Sequence, residues 1–215
     1  MISPLSSIKI TSDKRKTALF FQSIGILTPN IVAMRDVKAF PVFIRPYDGS
    51  RSTFAYRVDD RKALETFITI VPHPIITEFI CGQEYTVDCL SDFSGNVLII
   101  IPRTRLEVSN GVSVKSAVDL DAGIIRDTKT ILQALQVKGA STIQLIKTKD
   151  DKRFFTEVNL RFGGGAMLGI ASGGNFAGKI VDMLQGKRLQ FANNSVKDGY
   201  VMVAYLNHHF YDPNH

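Results

Sequence analysis

Four polar side chains lie in a predicted β-hairpin whose other residues are largely apolar, within residues 144–165. Gln144 falls in the first strand, and Glu157, Asn159 and Arg161 follow with a period of two in the second. The last three therefore point to one face of that strand. A carboxylate, an amide and a guanidinium in apolar surroundings need partners. A hard divalent cation together with phosphate oxygens would satisfy all of them, so the hairpin predicts a site for a metal ion and a phosphorylated ligand.

The elements that must position this hairpin are short strands interspersed with helices. Amphipathic patterns predict a helix over residues 13–25 capped by Ser12, and one over residues 119–137 capped by Asp119. Further helices are predicted over about 59–70 and 175–184, and strands over 41–46, 54–58, 75–80, 85–91, 97–102 and about 199–206. Mixed antiparallel strands with intervening helices indicate an α+β fold. Prolines near residue 72 separate a small lobe from a larger one.

The composition is that of an ordinary globular protein. The chain has 215 residues, of which 45% are hydrophobic and 21% charged, and no apolar run reaches the ~18 residues of a membrane span. We expect a cytoplasmic protein with no membrane contact, in which Cys81 and Cys89 are reduced core thiols. The net charge of +6 is scattered along the chain, which favours small anionic ligands over nucleic acid.

Several segments resemble, in order, those of one family. Residues 13–14 are DK, residues 41–46 are PVFIRP, residues 75–88 are IITEFICGQEYTVD and residues 157–165 are EVNLRFGGG. Together they resemble the ATP-grasp superfamily, and within it the carboxylate–amine ligases similar to carbamoyl-phosphate synthase. The resemblance covers nearly the whole chain. It implies an α+β ATP-grasp fold over residues 1–215, with a small lobe of about residues 28–74 and ATP bound between antiparallel sheets. The large lobe would comprise about residues 1–27 and 75–215.

The resemblance implies a set of phosphate-binding residues. Lys14 would reach the ATP phosphates, although a solvated lysine in the first turn of a helix is the alternative. Arg45, in an apolar strand, would also bind phosphate, or else form a structural ion pair. Ser50 and Arg51 lie in a loop that is glycine-rich in the family, but here only Gly49 remains. Either Arg51 binds phosphate directly, or the loop closes poorly and catalysis is weak or absent.

The segment around residue 80 is implied to bind the nucleoside. Glu78 and the backbone of Phe79 and Ile80 would face the adenine, and Glu84 would accept hydrogen bonds from the ribose hydroxyls. The alternative is an edge strand with exposed acidic side chains.

The metal ligands and catalytic residues also come from the resemblance. Glu157 would bridge two Mg²⁺ (or Mn²⁺) ions, with Gln144 on one and Asn159 on the other. Arg161 would contact the phosphate or an acyl phosphate. Arg103 and Arg105 would lie near the acceptor carboxylate, or would be an exposed basic strand end.

The implied activity is ATP-dependent joining of a small carboxylate to an amine or thiol through an acyl phosphate. In the family, a domain of about 100 residues, an ordinary domain size, usually precedes the DK segment. We therefore expect a separate chain that supplies this domain, or a homodimer. The alternative is a non-catalytic ATP-binding or partner-binding module, possibly one piece of a split ligase.

Overall fold

The computed structural model describes residues 2–49, 53–109, 112–205 and 210–212. Ser50 and Arg51, both predicted to bind the nucleotide, lie outside these residues. The helices are α1 (Leu5–Thr11), α2 (Lys14–Ser23), α3 (Arg61–Ile70), α4 (Ala122–Ala134), α5 (Ala166–Gly169) and α6 (Phe176–Leu184). A 3₁₀ turn covers Met34–Asp36 and a π-helical turn covers Ile170–Gly174. The strands are β1 (Val42–Pro46), β2 (Tyr56–Val58), β3 (Pro74–Glu78), β4 (Gln83–Ser91), β5 (Val97–Ser109), β6 (Val112–Val118), β7 (Gly139–Lys147), β8 (Arg153–Asn159) and β9 (Val201–Val203).

The strands form two antiparallel sheets. The small sheet has the order β2-β1-β3, and the large sheet has the order β8-β7-β4-β5-β6-β9. Alternate residues of β1 are buried, and Ile44 packs with Val58, Leu64 of α3 and Ile76 in a core of their own. This alternation is the pattern of a sheet with one covered face.

The two faces of the large sheet are covered differently. The back face, which includes Val87, Ile143 and Phe155, packs against α4 and against Phe21 of α2. On the front face, apolar residues near one end, including Ile101, pack against α5 and α6. The other end of the front face carries polar side chains and faces the small sheet. The site therefore lies between the two sheets.

The N-terminal caps of α2 and α4 differ from the prediction by one or two residues. Asp13, not Ser12, caps α2 by accepting a hydrogen bond of 2.9 Å from the Arg15 backbone N–H. Asp121, not Asp119, caps α4. The Asp119 carboxylate instead accepts a hydrogen bond of 2.6 Å from the Tyr85 hydroxyl. A side chain with a tertiary partner is not free to cap, and the sequence pattern does not reveal that partner.

Three further expectations need correction. Strand β5 continues to Ser109, so Arg103 and Arg105 lie within a strand and not at an exposed strand end. Cys89 is buried, but Cys81 is exposed because it lies between β3 and β4. Helix α1 was not predicted, because its seven residues are too short to show a period. None of the helices among the described residues is long and apolar enough to span a bilayer.

Candidate functional site

A cavity of about 610 Å³ lies between the two sheets. Its walls come from β1 and β3 of the small sheet, from residues 79–82, and from β4, β5, β7 and β8 of the large sheet. Ligand pockets in proteins commonly measure about 300–1,000 Å³ and combine apolar walls with a few polar groups. The cavity is therefore large enough for a nucleotide.

One wall of the cavity is formed by the segment that joins β3 to β4. Glu78 ends β3, and its carboxylate accepts hydrogen bonds from the Asn30 backbone N–H at 2.8 Å and from the Asn30 side-chain amide at 3.0 Å. Phe79 and Ile80 follow outside both strands and line the cavity, and the Arg57 guanidinium lies 4.9 Å from the centre of the Phe79 ring. Because these two residues lie between strands, their backbone groups are not part of either sheet's ladder.

Glu84 and Arg105 face each other across β4 and β5. The Arg105 guanidinium donates to the Glu84 carboxylate at 2.9 Å and to the Ser113 hydroxyl at 3.2 Å. Both charged side chains line the cavity. Burial lowers the pKa of Arg105, and the nearby Glu84 carboxylate opposes this shift. Arg105 therefore belongs to the wall of the cavity.

Two more cations converge on Glu157 from the other side of the cavity. The Lys14 ammonium donates to the Gly49 carbonyl at 2.6 Å, and the Arg45 guanidinium donates to the Thr156 carbonyl at 3.2 Å. Burial lowers the pKa of both side chains, and the Glu157 carboxylate opposes the shift in each case. The buried Nε of Arg45 has no hydrogen-bond partner among the described residues. Lys14, Arg45 and Arg105 thus lie near one another around Glu157, and such a group of cations suits a polyanionic ligand.

The predicted metal ligands occupy neighbouring positions on β7 and β8. Gln144 lies directly opposite Glu157 in the sheet, and the Asn159 amide donates to the Glu157 carboxylate at 2.8 Å. Side-chain oxygens of these three types suit a hard cation such as Mg²⁺. No group of three or more His, Cys, Asp or Glu residues that could hold a metal occurs in the described part of the chain. Because the set contains one carboxylate and lies near several cations, it fits a divalent ion that is also bound by the phosphates of a ligand.

Asn159 and Arg161 also line a second cavity, of about 640 Å³, beside α1. Its apolar lining includes Ile8 and Phe162. Arg161 is exposed, and its guanidinium donates to the Phe162 carbonyl at 3.0 Å. The structure therefore places Gln144 and Glu157 in the first cavity and Arg161 in the second. Asn159 also lines the second cavity, and its hydrogen bond to Glu157 connects it to the first.

Arg103 is not part of the lining of either cavity. Its guanidinium pairs with the Asp88 carboxylate at 2.8 Å, and the two side chains are only 3% and 2% exposed. The sequence analysis did not select Asp88, although an acidic residue inside the apolar run of β4 is a signal that could have found it. It also missed Asn30, which holds Glu78 from a distant loop that no local pattern connects to β3.

Two antiparallel sheets that enclose a cavity lined by cations are consistent with the ATP-grasp fold that the sequence resembles. A family described as ATP-grasp in the biosynthetic pathway with Ter operon matches residues 71–208. The chain therefore belongs to the ATP-grasp family, and the predicted family and α+β fold are confirmed.

Curated relatives of the chain are ligases and synthases. It is 36% identical over 95 residues to D-alanine--D-alanine ligase of Fusobacterium nucleatum, a match that covers 44% of this chain and 33% of that enzyme. It is 26% identical over 200 residues to carbamoyl-phosphate synthase of Methanobrevibacter smithii, covering 84% of this chain and 54% of that protein. The chain thus spans about a third to a half of the length of these relatives.

Solved structures show the same fold. Biotin carboxylase from Campylobacter jejuni in complex with β,γ-ATP superposes with a TM-score of 0.76 at 18% identity, over 92% of this chain and 51% of that one. L-amino acid ligase from Bacillus licheniformis superposes with a TM-score of 0.62 at 25% identity, over 76% of this chain and 44% of that one.

Proposed function

We propose that this chain binds Mg-ATP in the cavity between the sheets and forms the ATP-binding core of a carboxylate–amine or carboxylate–thiol ligase. The observation that carries the proposal is the convergence of Lys14, Arg45 and Arg105 near Glu157. A triphosphate would add negative charge next to these cations, and the oxygens of Gln144 and Glu157, which occupy paired strand positions, would share a cation with it.

The nucleoside would lie against the segment between β3 and β4. The backbone of Phe79 and Ile80 is available to the adenine edge, with Glu78 next to it in a fixed orientation because Asn30 holds its carboxylate. Glu84 would accept hydrogen bonds from the ribose hydroxyls, and its ion pair with Arg105 at 2.9 Å orients the carboxylate.

The phosphates would lie between the small sheet and β8. Lys14 and Arg45 would contact phosphate oxygens, and Gln144, Glu157 and Asn159 would hold the metal ion. When bound, Mg²⁺ or Mn²⁺ would neutralise phosphate charge as the terminal phosphoryl group is transferred. The contribution of the protein is to fix these groups in place before the reaction and to exclude water by bringing the lobes together.

The proposed reaction class is supported by the names of the relatives and by the reactivity of carboxylates. Two of the relatives described above, D-alanine--D-alanine ligase and L-amino acid ligase, are named for joining amino acids, and a carboxylate becomes reactive toward an amine when it is phosphorylated. We therefore propose an acyl phosphate intermediate, with Arg161 facing the second cavity where the acceptor would enter. A separate chain or a second copy would complete the acceptor site.

A non-catalytic ATP-binding module is the second candidate. The observation that favours it is the placement of Arg161 outside the first cavity and of Arg103 in a buried ion pair. This candidate requires ATP binding without formation of ADP.

The proposal is tested by calorimetry with ATP, with and without Mg²⁺, on the wild type and on Glu157→Gln. We expect Mg²⁺ to tighten ATP binding in the wild type by at least about tenfold, an effect of about 1.4 kcal/mol, and to have no effect in the variant. Glu65→Gln is the matched control, because Glu65 is an exposed residue of α3. Wild-type Mg²⁺ dependence in Glu157→Gln would refute the metal site, and absence of ATP binding by the folded wild type would refute the proposed function.

If ATP binds, turnover distinguishes the two candidate functions. ADP release is measured with mixtures of small carboxylic acids and amines. ADP that depends on both an acid and an amine supports the ligase, whereas binding with no ADP supports the non-catalytic module.

A further inference from the structure

We propose that Asp88 and Arg103 form a buried anchor that positions the glycine loop, defined as residues 161–165, and through it the end of β8 that carries Glu157 and Asn159. Arg103 is then a positioning residue and does not contact substrate. The proposal rests on the proposed function for its link to metal binding, but its structural half is testable without any ligand.

The anchor lies in the centre of the large sheet. Asp88 is on β4 and Arg103 is on the neighbouring β5, and their side chains are almost completely buried. The guanidinium also approaches the hydroxyls of Ser113 and Ser116, each at 3.5 Å. A buried ion pair is a costly way to gain stability, since apolar residues of similar volume often do as well. Its presence here calls for a geometric role.

The glycine loop lies directly on this pair. A Cβ atom at Gly165 would be 2.7 Å from the central carbon of the Arg103 guanidinium, and a Cβ atom at Gly163 would be 3.3 Å from the Asp88 carboxylate. The φ angle of Gly165 is −97°, which any residue can adopt. Glycine is therefore needed at position 165 for space, because the loop backbone packs against the guanidinium.

A second contact joins the loop to the metal-binding strands. The Thr142 hydroxyl donates to the Arg161 carbonyl at 3.0 Å, and Thr142 is the partner of Asn159 across β7 and β8. A Cβ atom at Gly163 would lie 3.0 Å from the same hydroxyl. The loop is thus fixed at its start by Thr142 and at its end by Arg103.

The consequence concerns the predicted metal ligands. Arg161 follows Asn159 by two residues, so a displaced loop pulls on the last residue of β8. Metal and catalytic groups have to be held within about 0.5 Å of their working positions by supporting contacts. Glu78 and residues 79–80 line the first cavity, whereas neither Asp88 nor Arg103 belongs to that lining. Loss of the anchor should therefore weaken the metal-dependent part of ATP binding and spare the rest.

One buried atom is consistent with this packing. The second oxygen of the Asp88 carboxylate has no hydrogen-bond partner among the described residues, and Gly163 closes over it. Burial raises the pKa of Asp88, and the Arg103 charge opposes the shift. Any side chain at position 163 would press on this carboxylate.

The test compares Arg103→Lys, Arg103→Met and Gly165→Ala with the wild type. Calorimetry measures ATP affinity with and without Mg²⁺, and hydrogen exchange measures the protection of a peptide covering residues 159–168. We expect the affinity without Mg²⁺ to change by less than about threefold, while the gain on adding Mg²⁺ falls by at least about tenfold, or about 1.4 kcal/mol. Exchange of this peptide should be faster in each variant than in the wild type.

Combining Gly165→Ala with Arg103→Met isolates the contact. Methionine lacks the guanidinium that the new methyl group would strike, so the double variant should be no worse than Arg103→Met alone. Ile131→Ala is the control for general destabilisation, since Ile131 is fully buried under the back face. It should lower the melting temperature yet keep the Mg²⁺ effect and the protection of the glycine loop.

The outcomes separate this inference from the proposed function. Unchanged exchange in Arg103→Met and Gly165→Ala would overturn the anchor, whatever happens to ATP. Faster exchange with the full Mg²⁺ gain retained would overturn its link to the metal ligands. If the wild type binds no ATP, the proposed function and the metal link fail together, and the exchange data alone decide whether the anchor holds the loop.

Discussion

Replacement of Arg45 by methionine should weaken binding of ATP far more than binding of adenosine. Arg45 is half-buried on β1, and its guanidinium donates a hydrogen bond of 3.2 Å to the Thr156 carbonyl. Its buried Nε has no partner in the described part of the chain. The side chain therefore retains hydrogen-bonding capacity for a phosphate. Methionine preserves the apolar stem and removes the charge.

The size of the effect follows from this geometry. A hydrogen bond to a charged group contributes about 1.5–3 kcal/mol. At about 1.4 kcal/mol for each factor of ten, the Kd for ATP should rise by about 10- to 150-fold. The Kd for adenosine should change by less than about threefold, since the nucleoside would bind at residues 79–84, whereas Arg45 pairs with Ile75, toward the other end of β3 from Glu78.

The assay is calorimetry with ATP and adenosine on Arg45→Met, with Arg35→Met as the matched control. Arg35 has the same chemistry but its side chain is 89% exposed in the 3₁₀ turn, so its removal should leave both affinities unchanged. Equal weakening of ATP and adenosine would show that Arg45 supports the cavity as a whole. An unchanged Kd for ATP would show that no phosphate reaches it, and either result would refute the reasoning.

Two further predictions concern pH and stability. Burial lowers the pKa of Lys14, so ATP affinity should begin to fall at a lower pH than the pKa of an ordinary lysine, about 10.4. Lys14→Arg should abolish this fall in calorimetric titrations at increasing pH. A fall that persists in the variant would contradict the role of Lys14. Asp121→Ala removes the cap of α4 and a partner of Lys147 on the back face of the large sheet. It should lower the free energy of unfolding, measured in urea, by about 1–2 kcal/mol and leave the Kd for ATP unchanged. Weaker ATP binding would contradict the separation of the two faces.

The hairpin that carries the metal candidates could be predicted from the sequence because its signals are local. A period of two places Glu157 and Asn159 on one face, and the turn between β7 and β8 brings Gln144 opposite Glu157. The same period cannot be extended to Arg161. Strand β8 ends at Asn159, and the chain then turns into the glycine loop, so the alternation no longer governs the direction of the side chain.

The different surroundings of Arg103 and Arg105 could not be predicted. Two residues apart on one strand, they point to the same face and resemble each other in the sequence. The glycine loop covers Arg103, whereas Arg105 remains open to the cavity. The glycine loop, some 60 residues further along the chain, decides which part of the front face is covered. The residue pattern of a single strand carries no information about the path of that loop.

Residues 79–82 are both a wall of the cavity and the covalent strap between the two sheets. The strap is short, and Gly82 is pressed so closely against the Lys147 carbonyl that a Cβ atom there would collide with it. If a ligand held by the strap restricts the angle between the sheets, a change in that angle alters the affinity of the ligand. By thermodynamic linkage the two effects are equal in free energy. Substitutions far from the cavity that tilt either sheet will consequently behave as nucleotide-affinity variants, although they touch no atom of the ligand.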